Sequence, residues 1–199
     1  MHKIKIRLTF TEKLLGTASS NPELHEEFIA GKSADKDKIK EEMASLHAEQ
    51  LVEKTQTIFP KENGQPFVWD YQIKGFFKDA CSMLSRITDT ESNKLKAYKK
   101  IIDGLIFVFP RKIMIKMPKG TELGNLQRPL RGQTAQGERI ALANSETVPV
   151  GSFIEFEVML LDKKYLKQLK EWLDYGQLRG LGQWRNASWG RVTWEELKS

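Results

Sequence analysis

The sequence holds a single cysteine, Cys81, among 199 residues. That excludes an internal disulfide and any zinc site built on several thiolates. The three histidines, His2, His25 and His47, stand far apart and match no metal-ligand spacing. No metal and no cofactor is therefore expected. No apolar run approaches the roughly 18 residues that a membrane-spanning helix requires. The opening stretch, MHKIKIRLTF, alternates charged and apolar residues and lacks the continuous core of a signal peptide. A cytoplasmic protein with no membrane partner is the expectation. Serine and cysteine show no coherent spacing with histidine that would make a nucleophilic triad.

What is present suits one globular domain with long insertions. Hydrophobic residues make up 40% and charged residues 29% of the chain, and 10 Phe and 5 Trp supply enough apolar surface to exclude wholesale disorder. The 32 basic and 26 acidic residues leave a net charge of +6, with a pI near 9.3. Such an excess is compatible with a polyanionic partner without requiring one, so its distribution matters more than its size.

His2 to Phe10 has period two, with Ile4, Ile6, Leu8 and Phe10 on one side and Lys3, Lys5, Arg7 and Thr9 on the other. This predicts a half-buried strand whose outer face is either a solvated edge or a basic binding surface. Residues 11–60 read as an insertion: a polar loop with a short helix at Pro22 to Ala30, an exposed amphipathic helix from Asp35 to Thr57, then a turn-rich connection. Asp70 is the expected N-cap of a helix whose Ile73, Phe76, Phe77, Ala80, Leu84 and Ile87 form a core stripe. A short helix is expected over Lys94 to Ile102. Leu105 to Pro110 reads as a central strand, hairpinned to an alternating strand at Lys112 to Met117. A short strand is expected at Ile140 to Ala143 and a longer one at Phe153 to Leu161. A helix capped by Asp162 and buried through Leu166, Leu169, Trp172 and Leu173 follows, and a last strand at Arg191 to Trp194. Stripped of insertions, the order is β-α-β-β-α-β. That predicts an α+β fold with a ferredoxin-like (RRM-like) core, an antiparallel sheet with helices on one face.

Two segments are the most distinctive. RGLGQWRNASWGRVTWEEL, residues 179–197, sets Gly180, Gly182 and Gly190 around Arg185 between the second core helix and the last strand. It resembles the glycine-rich loop of the RAMP superfamily, the RNA-binding subunits and processing nucleases of CRISPR systems. In that family the loop reads G-x-G-x-x-R, a polar stretch, then glycine leading into a strand; Gly180, Gly182, Arg185, Gly190 and Arg191 occupy those places. GQPFVWDYQIKGFFKDACSML, residues 64–84, is similar to the family's turn into its first core helix, with Gly64, Pro66, Ile73, Lys74, Gly75 and Phe77 in register. Trp69, Asp70 and Tyr71 replace the usual small residues there. KIRLTF resembles the opening strand. The matching pieces cover about a quarter of the chain.

The resemblance implies a chain spanning 1–199 as one RAMP-like domain, gripping single-stranded RNA and assembling with itself or with CRISPR-type partners. The residues themselves suit that chemistry. Glycines let backbone amides approach a ligand, exposed amides form anion sites, and Arg185 and Arg191 add charge-assisted phosphate contacts. Trp184 and Trp189 are able to stack on unpaired bases. The alternative is a tight helix-to-strand turn with at least one of the tryptophans in the core beneath it. A second basic stretch, the connection over 111–139, carries Arg111, Lys112, Lys116, Lys119, Arg128, Arg131 and Arg139 against Glu122 and Glu138.

Catalysis has less to stand on. His25 and His47 are the candidates for metal-independent RNA cleavage, and Asp35 and Asp37 lie in a lysine-rich run without a supporting motif. A non-enzymatic RNA-binding protein is the leading expectation. The alternatives are an endoribonuclease of the same superfamily and a phage anti-defence protein that sequesters a nucleotide or a protein partner.

Overall fold

A computed structural model describes residues 1–19, 56–134 and 137–198. In chain order the strands and helices are β1 (His2–Phe10), β2 (Leu14–Leu15), β3 (Ala18–Ser19), β4 (Gln56–Ile58), β5 (Lys61–Glu62), β6 (Gln65–Trp69), α1 (Asp70–Leu84), α2 (Tyr98–Leu105), β7 (Ile106–Phe109), β8 (Lys112–Lys116), β9 (Gly124–Thr134), β10 (Gly137–Val148), β11 (Phe153–Leu160), α3 (Leu166–Arg179) and β12 (Val192–Leu197). The helices expected at 22–30 and 35–57 lie outside the described residues.

The main sheet runs β12-β1-β11-β8-β6-β5, with β7 also on β11. β1 lies between β11 and β12, antiparallel to both, and β7 is antiparallel to β11. The subset β1-α1-β7-β11-α3-β12, in spatial order β12-β1-β11-β7, is the ferredoxin-like core, and the protein is α+β. Alternation builds it: Ile4, Ile6, Leu8 and Phe10 of β1 and Ile154, Phe156, Val158 and Leu160 of β11 are buried. The same face receives Ile73, Phe76, Phe77, Ala80 and Leu84 of α1 and Leu169, Trp172 and Leu173 of α3. A second sheet, β2-β10-β4-β3 with β9 on β10, joins the core through Leu14 and Val148.

Several expectations are corrected. Trp69, not Asp70, caps α1: the Gln72 carboxamide oxygen accepts the Trp69 N–H at 2.8 Å, while the Asp70 carboxylate accepts Tyr71 N–H. The helix ends at Leu84 and leaves Ile87 53% exposed, because Thr90 donates its hydroxyl to the carbonyls of Leu84 and Ile87 and turns the chain. The next helix begins at Tyr98, since Glu171 of α3 holds the N–H groups of Glu91 and Ser92 in a preceding turn.

The expected hairpin between 105–110 and 112–117 is absent. β7 and β8 both pair with β11, Ile106–Phe109 opposite Leu160–Glu157 and Ile115–Lys116 opposite Ile154–Phe153. They are two lengths of one interrupted strand. Pro110 has no N–H to donate, and the chain leaves the ladder there and returns. Lys112–Met114 pair instead with β6, so 65–69 is a strand where a turn-rich connection was expected. β6 closes on β5 through Asn63 and Gly64, both at positive φ (49° and 77°), the pattern an Asn-Gly turn supplies. The short strand expected at 140–143 is the middle of β10.

Candidate nucleic-acid interface

The loop between α3 and β12 is closed at its neck by backbone bonds. Leu181 N–H donates to Gly190 O at 2.8 Å, Gly190 N–H to Lys13 O at 3.0 Å, and Thr11 N–H to Arg191 O at 2.9 Å. Two glycines permit this closeness. Gly180 and Gly190 have φ of 81° and 71°, and a Cβ would meet the Trp189 carbonyl oxygen at 2.5 Å or the Leu181 carbonyl oxygen at 2.0 Å, respectively. Beyond the neck, the N–H groups of residues 182–186 bond to no other backbone group among the described residues. A single 3-10 turn, Arg185–Ala187, follows Trp184, which holds φ at 50° in the left-handed region. Non-glycine residues seldom sit there, and where they do a functional constraint is a common reason.

The outward side of this loop forms an open cleft of about 600 Å³ lined by Gly182 to Ala187, Arg179 and Arg128. Arg128 comes from β9 and lies over the Trp184 ring, its Cζ 5.7 Å from the centroid. The glycine loop and the 111–139 connection therefore meet at one place. Asp79 of α1 orders the cationic side: it accepts from Arg179 Nε at 3.1 Å and forms an ion pair with Arg185, whose Nη1 lies 2.9 Å away. Arg179 also donates to the Asn186 carboxamide oxygen. Three guanidiniums thus face one bonded carboxylate, beside an aromatic ring and open amides. Chemically, such a set has the donors and charge to suit a phosphate group, and it offers a stacking surface.

The other sequence-predicted residues are elsewhere. Gly180 and Gly190 build the neck rather than the cleft. Arg191 donates Nε to the Leu178 carbonyl. Lys74 lies on the opposite side of α1, over Phe107 with Nζ 4.8 Å from the ring and 3.2 Å from Asp103 O; burial pushes its amine below the ordinary lysine range. Arg111 and Lys112 pack on the aromatic cluster of Phe67 and Trp69, and Lys112 pairs with Glu62 at 3.1 Å. Arg131 pairs by backbone with Ile140 in the β9-β10 hairpin, and its side chain lies outside the described residues, as do His25, His47, Asp35 and Asp37. Neither Trp184 nor Trp189 is fully buried, contrary to the expectation that one of them is core.

The outer face of β1 carries mostly ion pairs. Arg7 donates to Glu155 and Glu195 at 2.6 and 2.8 Å, Lys3 meets Glu157 at 3.1 Å, and Lys116 meets Glu155 at 2.7 Å. The acids of β11 and β12 balance the bases of β1, so this face is a charge-balanced one rather than a basic binding surface; the strand itself is paired on both sides and is not the edge that the sequence suggested. Arg179, Asn186 and Asp79 were not singled out in the sequence. Asp79 had a signal: Gln72, Gly75, Phe76 and Asp79 share one face of α1 by helical spacing. Among the described residues, no His/Cys/Asp/Glu group is arranged to hold a metal, and no helix is long and apolar enough to cross a membrane.

No family model and no curated protein matches the chain. Among solved structures it is similar to a chain of the Type III-B Cmr-beta bound to cognate target RNA, with a TM-score of 0.53 at 10% identity. The match covers 98% of this chain and 58% of that one. The fold is shared with a subunit of a CRISPR complex. A chain of a Type IV-B CRISPR complex aligns at a TM-score of 0.49 and 13% identity, over 100% of this chain and 91% of that one. At 10% identity the likeness to the Cmr-beta chain is one of fold, and this chain spans little more than half of that chain's length.

Proposed function

We propose that the protein is a non-enzymatic single-stranded RNA-binding protein of the CRISPR-effector backbone type, gripping phosphates in the cleft between the glycine loop and β9. The observation that carries this reading is the placement of Arg128 over Trp184, beside Arg179, Arg185 and the open amides of 182–186. Two stretches far apart in sequence bring cations, amides and an aromatic face to one site. That combination suits an unpaired strand, in which phosphates and base faces are both accessible. The fold shared with the Cmr-beta chain supports it, as does the resemblance of residues 179–197 to the RAMP glycine loop.

The test is titration of labelled single-stranded RNA at several salt concentrations. The double variant Arg128→Ala, Arg185→Ala is expected to weaken binding at least tenfold. Its salt slope should fall by about 1.4, because each phosphate that a cation neutralises on a single strand adds about 0.7. Unchanged affinity and slope would remove the cleft from the interface.

A further inference from the structure

A second, smaller cavity of about 210 Å³ opens beside the cationic cleft, and the two share Gly182 and Arg185 as lining residues. Its walls are apolar: Leu15, Phe59, Val68, Phe76 and Leu181. Sites for drug-sized ligands take roughly 300–1,000 Å³, so this one suits a single planar ring system. One polar edge faces it. The Gln72 oxygen accepts the Trp69 N–H at 2.8 Å and the Gln72 nitrogen donates to Thr17 Oγ1 at 2.6 Å. A backbone N–H only donates, so the orientation of this carboxamide is fixed. A carboxamide has two N–H groups and two lone pairs, which leaves one of each for a ligand's edge.

Gly75 supplies the second observation. It lies in the interior of α1, where glycine is disfavoured, and it lines this cavity. Neither conformation nor packing calls for it: its φ is not positive, and a Cβ would meet nothing within 4 Å. At this point the cavity is lined by backbone alone, where any other residue would add a side chain.

We infer that this cavity receives one unstacked nucleobase of the RNA strand whose phosphates lie in the adjoining cleft. The inference rests on the RNA-binding reading above and adds a base site to it. Arg185, on the border of both cavities, would contact the phosphate next to the inserted base. The apolar walls take up the ring faces, and Gln72 presents a donor and an acceptor to the ring edge.

The experiment compares a base-bearing single strand with an abasic sugar–phosphate strand of equal length, on the wild type, Gly75→Ala and Gly75→Leu. Melting temperatures should hold or rise in both variants, since each removes a glycine from a helix interior. Gly75→Leu is expected to weaken the base-bearing strand about tenfold, the scale of one base contact. Gly75→Ala should do so by a smaller factor, and abasic affinity should stay within about twofold of the wild type, since the phosphate contacts are untouched. If both substitutions leave base-bearing affinity unchanged, or weaken the two strands equally, the base site is overturned while RNA binding stands. If the wild type binds neither strand at low salt, RNA binding itself fails and the base site with it.

Discussion

At the scale of single residues, Trp184 holds the least ordinary position. Its backbone sits at φ 50° and ψ 35°, its ring lies under Arg128, and it is only partly buried. A core tryptophan would gain from full burial, and this one does not have it. Asparagine tolerates the left-handed region better than a bulky aromatic does. Trp184→Asn is therefore expected to leave the melting temperature unchanged or slightly raised, while weakening single-stranded RNA binding by about 1–3 kcal/mol, the worth of one stacked base. A large fall in melting temperature with affinity intact would make the ring structural. Asp79 acts through others: its hydrogen bond to Arg179 and its ion pair with Arg185 hold both guanidiniums on one side before any ligand arrives.

At the scale of elements, strict alternation made β1 and β11 readable from sequence, because burying one face of a strand forces period two. The buried stripe of α1 was equally plain up to Leu84. Its end was not, since Ile87 keeps the spacing and only the Thr90 hydroxyl bonds show that the chain turns. Pro110 marked a break but not the partner, so one strand interrupted along β11 looked like a hairpin. The special glycines of 180–190 were visible as a loop, yet Arg128 reaches it from another sheet and Asp79 from a helix face, and no spacing rule joins them. The neck of that loop is intolerant: Gly190→Ala places a Cβ 2.0 Å from the Leu181 carbonyl oxygen in a left-handed backbone. Chemical denaturation should show a destabilisation on the order of 3 kcal/mol. A neutral result would mean that the neck opens at little cost.

At the scale of the molecule, charge is divided between two faces. The open face of the main sheet is laced by acid–base pairs, and the loop side keeps several bases against one carboxylate. Lys116 first, then Arg7, hold the Glu155 carboxyl below the ordinary glutamate range. A carboxylate with a depressed pKa adds stability that is complete above the unfolded value, about 4.3, and fades as pH falls through the folded one. Glu155→Gln should flatten the acid side of the melting-temperature profile below about pH 5 and leave RNA affinity at neutral pH unaltered; an unaltered acid limb would show that the pairs add nothing. The pairing of Lys5 with Leu197 across β1 and β12, and the bond from Gly190 to Lys13, have a consequence for biosynthesis. The neck and β12 close onto β1 and the residues just after it, which precede them by about 180 positions. During translation the cleft cannot exist until 192–197 have left the ribosome and found a strand synthesised long before, a slow, non-local closure. A nascent or truncated chain would carry the cations without the site.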